Sequence, residues 1–169
     1  VATGTICTQV SPPATISPTW SCPWNTTSGS VPDGSYELTL TVTDYAGNVF
    51  VAPIKLLQVD NTPPIIDDVT IVEDANPLNQ YVDPTNDARV FYNANAGFAG
   101  SFFVDVTAHD PGTGMNRIEF PDIDGATSGA WTPDAVTALP AVNAIATRRG
   151  YAWTPTATSP GTLTAEAFD

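Results

Sequence analysis

The chain has 169 residues, and its 18 acidic against 5 basic side chains give a net charge of −13. That balance leaves no basic footprint for nucleic acid or for an anionic membrane surface, and no run approaches the roughly 20 apolar residues of a membrane helix. With 16 Pro and 12 Gly, and Thr, Val and Ala abundant, the composition points to an all-β protein of short strands joined by turns.

The first landmark is a cysteine pair, Cys7 and Cys22. In an oxidising compartment it would close a local loop as a disulfide, worth roughly 3 kcal/mol in the chain-entropy account. Two buried free thiols are the alternative. Trp20 and Trp24 follow, and Asn25-Thr26-Thr27 is an N-glycosylation acceptor pattern.

Residues 35 to 43, SYELTLTVT, alternate strictly. Tyr36, Leu38, Leu40 and Val42 share one face; Glu37, Thr39, Thr41 and Thr43 share the other. This predicts one strand with a buried and a solvated side. DYAGN then turns the chain, with Gly47 able to take positive φ. VFVAPIKLLQV predicts the returning strand, and Pro53 within it requires an edge or a bulge. Lys55, the only lysine, should point away from Ile54 and Leu56.

DNTPP, residues 60 to 64, predicts a boundary, because two prolines remove two backbone donors. Beyond it IIDDVTIV reads as a strand, and residues 73 to 87 as a loop. ARVFYN and GSFFVDVTAHD read as strands, with Phe102, Val104, Val106 and Ala108 on one face. PGTG turns the chain and MNRIEF runs back. Residues 132 to 146 carry helix-start signals in Thr132-Pro133-Asp134, predicting one short helical turn ended by Pro140. ATRRGYAW and GTLTAEAF supply the late strands.

One phrase occurs twice. Trp24-Asn25-Thr26 precedes Asp33-Gly34-Ser35-Tyr36 and Asp44; Trp153-Thr154-Pro155 precedes Gly161-Thr162-Leu163 and Asp169. Aligned at their ends, Leu40 matches Ala165 and Val42 matches Ala167. The repeat suggests residues 1–60 as the C-terminal part of one module. Residues 61–169 would be a second module that lacks its last strand.

VPDGSYELTLTVTDYAGN followed by VDNTPP resembles the tandem immunoglobulin-like repeats of large bacterial surface and secreted proteins. The resemblance is close over residues 32 to 64 and loose over 65 to 169. It implies antiparallel immunoglobulin-like β-sandwich modules in tandem. It also implies a non-catalytic, extracellular role as a stalk or adhesion module, with neighbouring modules of the same chain as partners and a cell-surface glycan or protein as a further one. A fainter likeness to cadherin repeats rests on Asp60-Asn61 at the linker position.

Chemistry-bearing patterns are few. His109, the only histidine, stands beside Asp110 at a strand end, and no Gly-x-Ser-x-Gly elbow occurs. No cysteine-histidine spacing suits zinc. Asp67 and Asp68 are adjacent on a strand and should diverge. Asp122 and Asp124 read as a polar turn. In an antiparallel sandwich, however, Asp60, Asn61, Asp110 and Asp169 should converge on the linker end of the second module. Several hard oxygen ligands in one place suit Ca²⁺, the one cofactor the pattern points to. Satisfying their own turns is the plainer role for the same residues. Trp24 and Trp153, as repeat equivalents, belong to structure. Trp20 and Trp131 are the candidates for an exposed sugar-stacking platform, which would make the chain a carbohydrate-binding or accessory module of a secreted hydrolase.

Overall fold

The computed structural model describes residues 4–8, 21–27, 31–124, 129–159 and 161–169. The chain divides into two compact units, Val1–Thr62 and Pro63–Asp169. The division falls within the 60–64 stretch read as a boundary, at the proline pair and two residues past the 60/61 limit drawn between modules. Among the described residues there is no α-helix, and no helix long and apolar enough to cross a membrane.

Unit 1 holds β1 (Gly34–Leu38), β2 (Thr41–Thr43), β3 (Val49–Val51) and β4 (Lys55–Val59). β1 pairs antiparallel with β4, and β2 with β3. The single strand expected over residues 35 to 43 is therefore broken at Thr39-Leu40, and Leu40 is exposed. The break lies opposite Pro53, whose missing N–H interrupts the returning strand between β3 and β4. One backbone bond, Ala52 N–H to Leu40 O at 2.8 Å, spans the gap.

The turn between β2 and β3 is built by Asp44. Its carboxylate accepts from the backbone N–H of Ala46 at 2.9 Å and of Asn48 at 2.8 Å, and from the Asn48 side chain at 2.8 Å. These bonds, the Asn48 side chain first, hold the Asp44 carboxyl below its ordinary range. Gly47 supplies the positive φ of 89° that the turn needs. Cys7 and Cys22 are bonded, with Cα atoms 6.1 Å apart.

Unit 2 runs through β5 (Ile65–Glu73), β6 (Gln80–Asp83), β7 (Asn86–Tyr92), β8 (Gly100–His109), β9 (Arg117–Phe120), β10 (Trp131–Thr132), β11 (Thr137–Pro140), β12 (Thr147–Trp153) and β13 (Glu166–Phe168). Antiparallel pairing gives a four-stranded sheet ordered β10-β12-β8-β5, a three-stranded sheet ordered β11-β9-β13, and the β6-β7 hairpin. Side chains from both larger sheets meet in one core: Phe102, Val106, Ala108, Tyr151 and Trp153 from one, Ile118 and Phe120 from the other. This is an all-β fold with the layering of a β-sandwich.

The expected alternation in β8 holds, since Phe102, Val106 and Ala108 are buried and Val104 half-buried. Two expectations need correction. Residues 132 to 146 contain the last residue of β10 and the whole of β11 instead of a helical turn. The Thr-Pro-Asp signal here serves a turn between strands, a use those residues share with helix starts. Residues 73 to 87 are not a loop throughout, because β6 pairs with β7.

The hairpin is fastened to the core by Gln80. Its buried side-chain amide donates to the carbonyls of Ala75 at 3.2 Å and of Ser101, and accepts from the Trp153 indole N–H at 3.3 Å. A buried amide is tolerable only with such bonds. Gly100, facing Trp153, leaves room for the indole: a Cβ there would lie 2.9 Å from the ring. Tyr92 meets Trp131 edge-on at 5.0 Å and lies 5.3 Å from Trp153.

Candidate functional site

The residues expected to gather around a cation fall in both units. In unit 1, Asp60 and Asn61 follow β4 and are engaged locally. The Asn61 backbone N–H donates to Asp33 Oδ1 at 2.7 Å and its side chain to Val31 O at 3.3 Å. Asp60 Oδ1 accepts from the Thr62 N–H at 3.2 Å.

In unit 2, Asp110 leaves β8 into the Pro-Gly-Thr-Gly turn. Its Oδ1 accepts from Gly112 N–H at 2.7 Å and Gly114 N–H at 2.9 Å. Asn143 fixes its backbone from both sides, accepting from Asp110 N–H at 3.1 Å and donating to Asp110 O at 2.9 Å. Asp110 is only 4% exposed, and its Oδ2 is buried with no hydrogen-bond partner. The carboxylates of Asp110 and Asp169 offer oxygens within 4.8 Å of each other. Asp169 itself is exposed, just past β13.

A second acidic group was not foreseen as such. Carboxylate oxygens of Asp122, Asp124 and Asp134 lie within 4.8 Å of one another, and Asp124 Oδ2 accepts from the Trp131 N–H at 3.3 Å. Asp122 and Asp124 were legible as a pair in the sequence. Asp134 was assigned to a helix start, and only the turn into β11 brings it to them.

Trp131 corrects an expectation. It is 2% exposed, in the core, with its indole N–H donating to Thr158 O at 3.1 Å, so its ring is not presented to a sugar. Trp20 lies outside the described residues. Trp153, assigned to structure, is buried as that role requires.

The outward face of the four-stranded sheet carries Arg148, which grips Asp105 with Nε to Oδ1 and Nη2 to Oδ2, both at 2.6 Å. The guanidinium hydrogen bond is the main cause holding the Asp105 carboxyl below its usual range. The same guanidinium lies 4.9 Å from the Phe103 ring centre. His109 closes β8 and its Nδ1 meets both oxygens of Asp67 at 2.8 Å, a strand-end pair across β5 and β8. Lys55 is exposed on β4.

A shallow cleft of about 360 Å³ on unit 2 is lined by residues including Asp74, Ser101, Pro133, Arg149 and Gly150. Ser101 Oγ donates to Asp74 at 2.7 Å, and no histidine lines the cleft to receive a hydroxyl proton.

No family model matches the chain, and no curated protein or solved structure gives a significant match.

Proposed function

We propose that the chain is a non-catalytic, extracellular pair of immunoglobulin-like modules acting as a stalk or adhesion element of a larger surface or secreted protein. The observation that carries this reading is the Tyr36 corner. Its hydroxyl donates to the Pro32 carbonyl at 2.6 Å, four residues upstream. Immunoglobulin-like sandwiches close one end of the fold with such a back-bonded tyrosine at a strand start. Here it sits inside the Asp-Gly-Ser-Tyr phrase on which the sequence resemblance rests. The Cys7–Cys22 disulfide supports an oxidising compartment.

Ca²⁺ belongs to the same proposal. Asp110 Oδ2, buried and without a partner, would be one hard ligand and Asp169 a second. A bound ion would cancel the repulsion between two carboxylates and hold the β13 end against the Asp110 turn.

Two experiments test these readings. Antibodies to residues 63–169 are expected to label intact source cells or to detect the protein in the medium. Labelling only after permeabilisation would overturn the extracellular reading. Melting in millimolar Ca²⁺ should exceed melting in chelator, by an amount corresponding to about 2.7 kcal/mol at one hundred times the dissociation constant. Asp110→Asn, which keeps the Oδ1 acceptor for the turn, and Asp169→Ala should each abolish the shift. A wild type indifferent to Ca²⁺ removes the ion from the proposal and leaves the module intact.

A further inference from the structure

The β6-β7 hairpin presents two aromatic rings outward. Tyr81 and Phe91 are directly paired across the strands. Their rings lie 6.5 Å apart, inclined by 26°, and the residues are 56% and 53% exposed. Packing into the core is done by the other face, where Gln80 is buried and Val82, Val90 and Tyr92 are half-buried. Cross-strand pairing of two aromatics stabilises a hairpin modestly. That contribution does not require both rings to stand open to water, and a β-branched pair would supply much of it.

Beside the rings, on the same hairpin, Arg89 Nη1 meets Asp83 Oδ2 at 3.5 Å. The face thus carries two near-parallel aromatic rings beside a charged pair in which Arg89 is the exposed member. We propose that it is a binding platform for an uncharged glycan. A pyranose ring matches both parts: its C–H face stacks on an aromatic ring while its hydroxyls remain at the edge to accept from the exposed Arg89 guanidinium.

Charge and desolvation argue against the other occupants. A second copy would bring another chain of net charge −13 onto the first, and repulsion opposes that. An anionic polysaccharide meets the same field. An apolar peptide would cover the Asp83–Arg89 pair without replacing its water. The inference adds a ligand to the stalk reading and does not depend on it, since a module could bear force with or without sugar on this face.

The test is affinity electrophoresis of the whole chain. Gels would contain soluble β-glucan, xyloglucan or galactomannan, with polygalacturonate as the anionic comparison. Retardation is expected in at least one neutral gel and not in polygalacturonate. Tyr81→Thr and Phe91→Thr, which keep strand-forming side chains, should each weaken it at least tenfold, while Leu78→Ala, which alters an exposed residue just before the hairpin, should not. Melting curves confirm that the variants fold. The proposal is overturned by no retardation in any neutral gel, by equal retardation of wild type and both threonine variants, or by retardation in polygalacturonate alone. Sedimentation showing a dimer that both threonine variants abolish would assign the face to self-association and overturn it equally.

Discussion

The two units are written in similar residues and both expose apolar side chains, yet among the described residues unit 2 gathers an aromatic core that unit 1 does not. In unit 2, Phe102, Phe120, Trp131, Tyr151 and Trp153 are all buried together. In unit 1, Leu40, Val49, Phe50, Val51, Ile54 and Leu56 are exposed, and Val59 is the one buried hydrophobic residue among those described. Both units form hydrogen-bonded ladders. Among the described residues the difference is layering: unit 2 has sheets of four and three strands to face each other, whereas unit 1 shows two ladders of two strands each. Alternation is enough to make a strand, but a core needs a second surface to meet it.

The sharpest way to break this contrast is to remove the centre of the larger core. Trp153→Ala should destabilise unit 2 by about 3–5 kcal/mol, leaving any separate unit 1 transition where it was. Chemical denaturation followed by fluorescence and by far-ultraviolet dichroism measures both. A loss below about 1 kcal/mol would mean that the aromatic cluster does not organise the unit.

A different dependence is expected for unit 1. The Cys7–Cys22 bond closes a loop with a sequence separation of 15, worth about 3 kcal/mol through the unfolded chain. Reductant, or the Cys7→Ser/Cys22→Ser double variant, should therefore open unit 1 to limited proteolysis while fragments of unit 2 persist. Equal loss of both units would erase the distinction.

The smallest effect sharpens the account of unit 2. Burial, as the largest cause, pushes the Tyr151 hydroxyl up to about 12, with the Arg149 charge opposing and the Asp122 charge adding to it. The folded state thus keeps a proton that the unfolded chain releases near pH 10. Stability from this group is complete below about pH 10 and is lost as the pH rises towards 12. Tyr151→Phe should cost about 1 kcal/mol at pH 7, through the lost bond to Pro121 O. It should also flatten the alkaline decline, and denaturant midpoints at pH 7, 10 and 11.5 would show this. An unchanged alkaline slope would place the titration elsewhere.

How far the sequence revealed this arrangement depended on whether the signal was local. β8 was legible because its alternation is long and its inward residues are all apolar. Pro53 announced the interruption in unit 1, although its effect on the opposite strand, at Leu40, followed only from the pairing. β6 escaped because its pattern is inverted, with polar Gln80 buried and aromatic Tyr81 exposed. Trp131 was misplaced for a related reason: its burial depends on Tyr92 and Phe102, contributed by β7 and β8, and no period within its own stretch points to them. The proximity of Asp110 and Asp169 was reached by reasoning about strand direction. The unpartnered Asp110 Oδ2 was not, since nothing in the letters separates it from the oxygen that holds the turn.

Gln80 carries one more consequence. Its amide is used as donor and acceptor at once, so the register of the hairpin against the core is set by a residue adjoining Tyr81. A one-residue slip would break three bonds and turn the Tyr81 ring inward. The aromatic pair therefore stands on a backbone already fixed in place, and a molecule settling on it has little disorder left to remove. Preorganisation of this kind shows itself in slow dissociation more than in contact area. In hydrogen exchange, the amides of residues 80 to 82 should be protected together with the core strand β8, and not with the exposed turn that joins the hairpin's two strands.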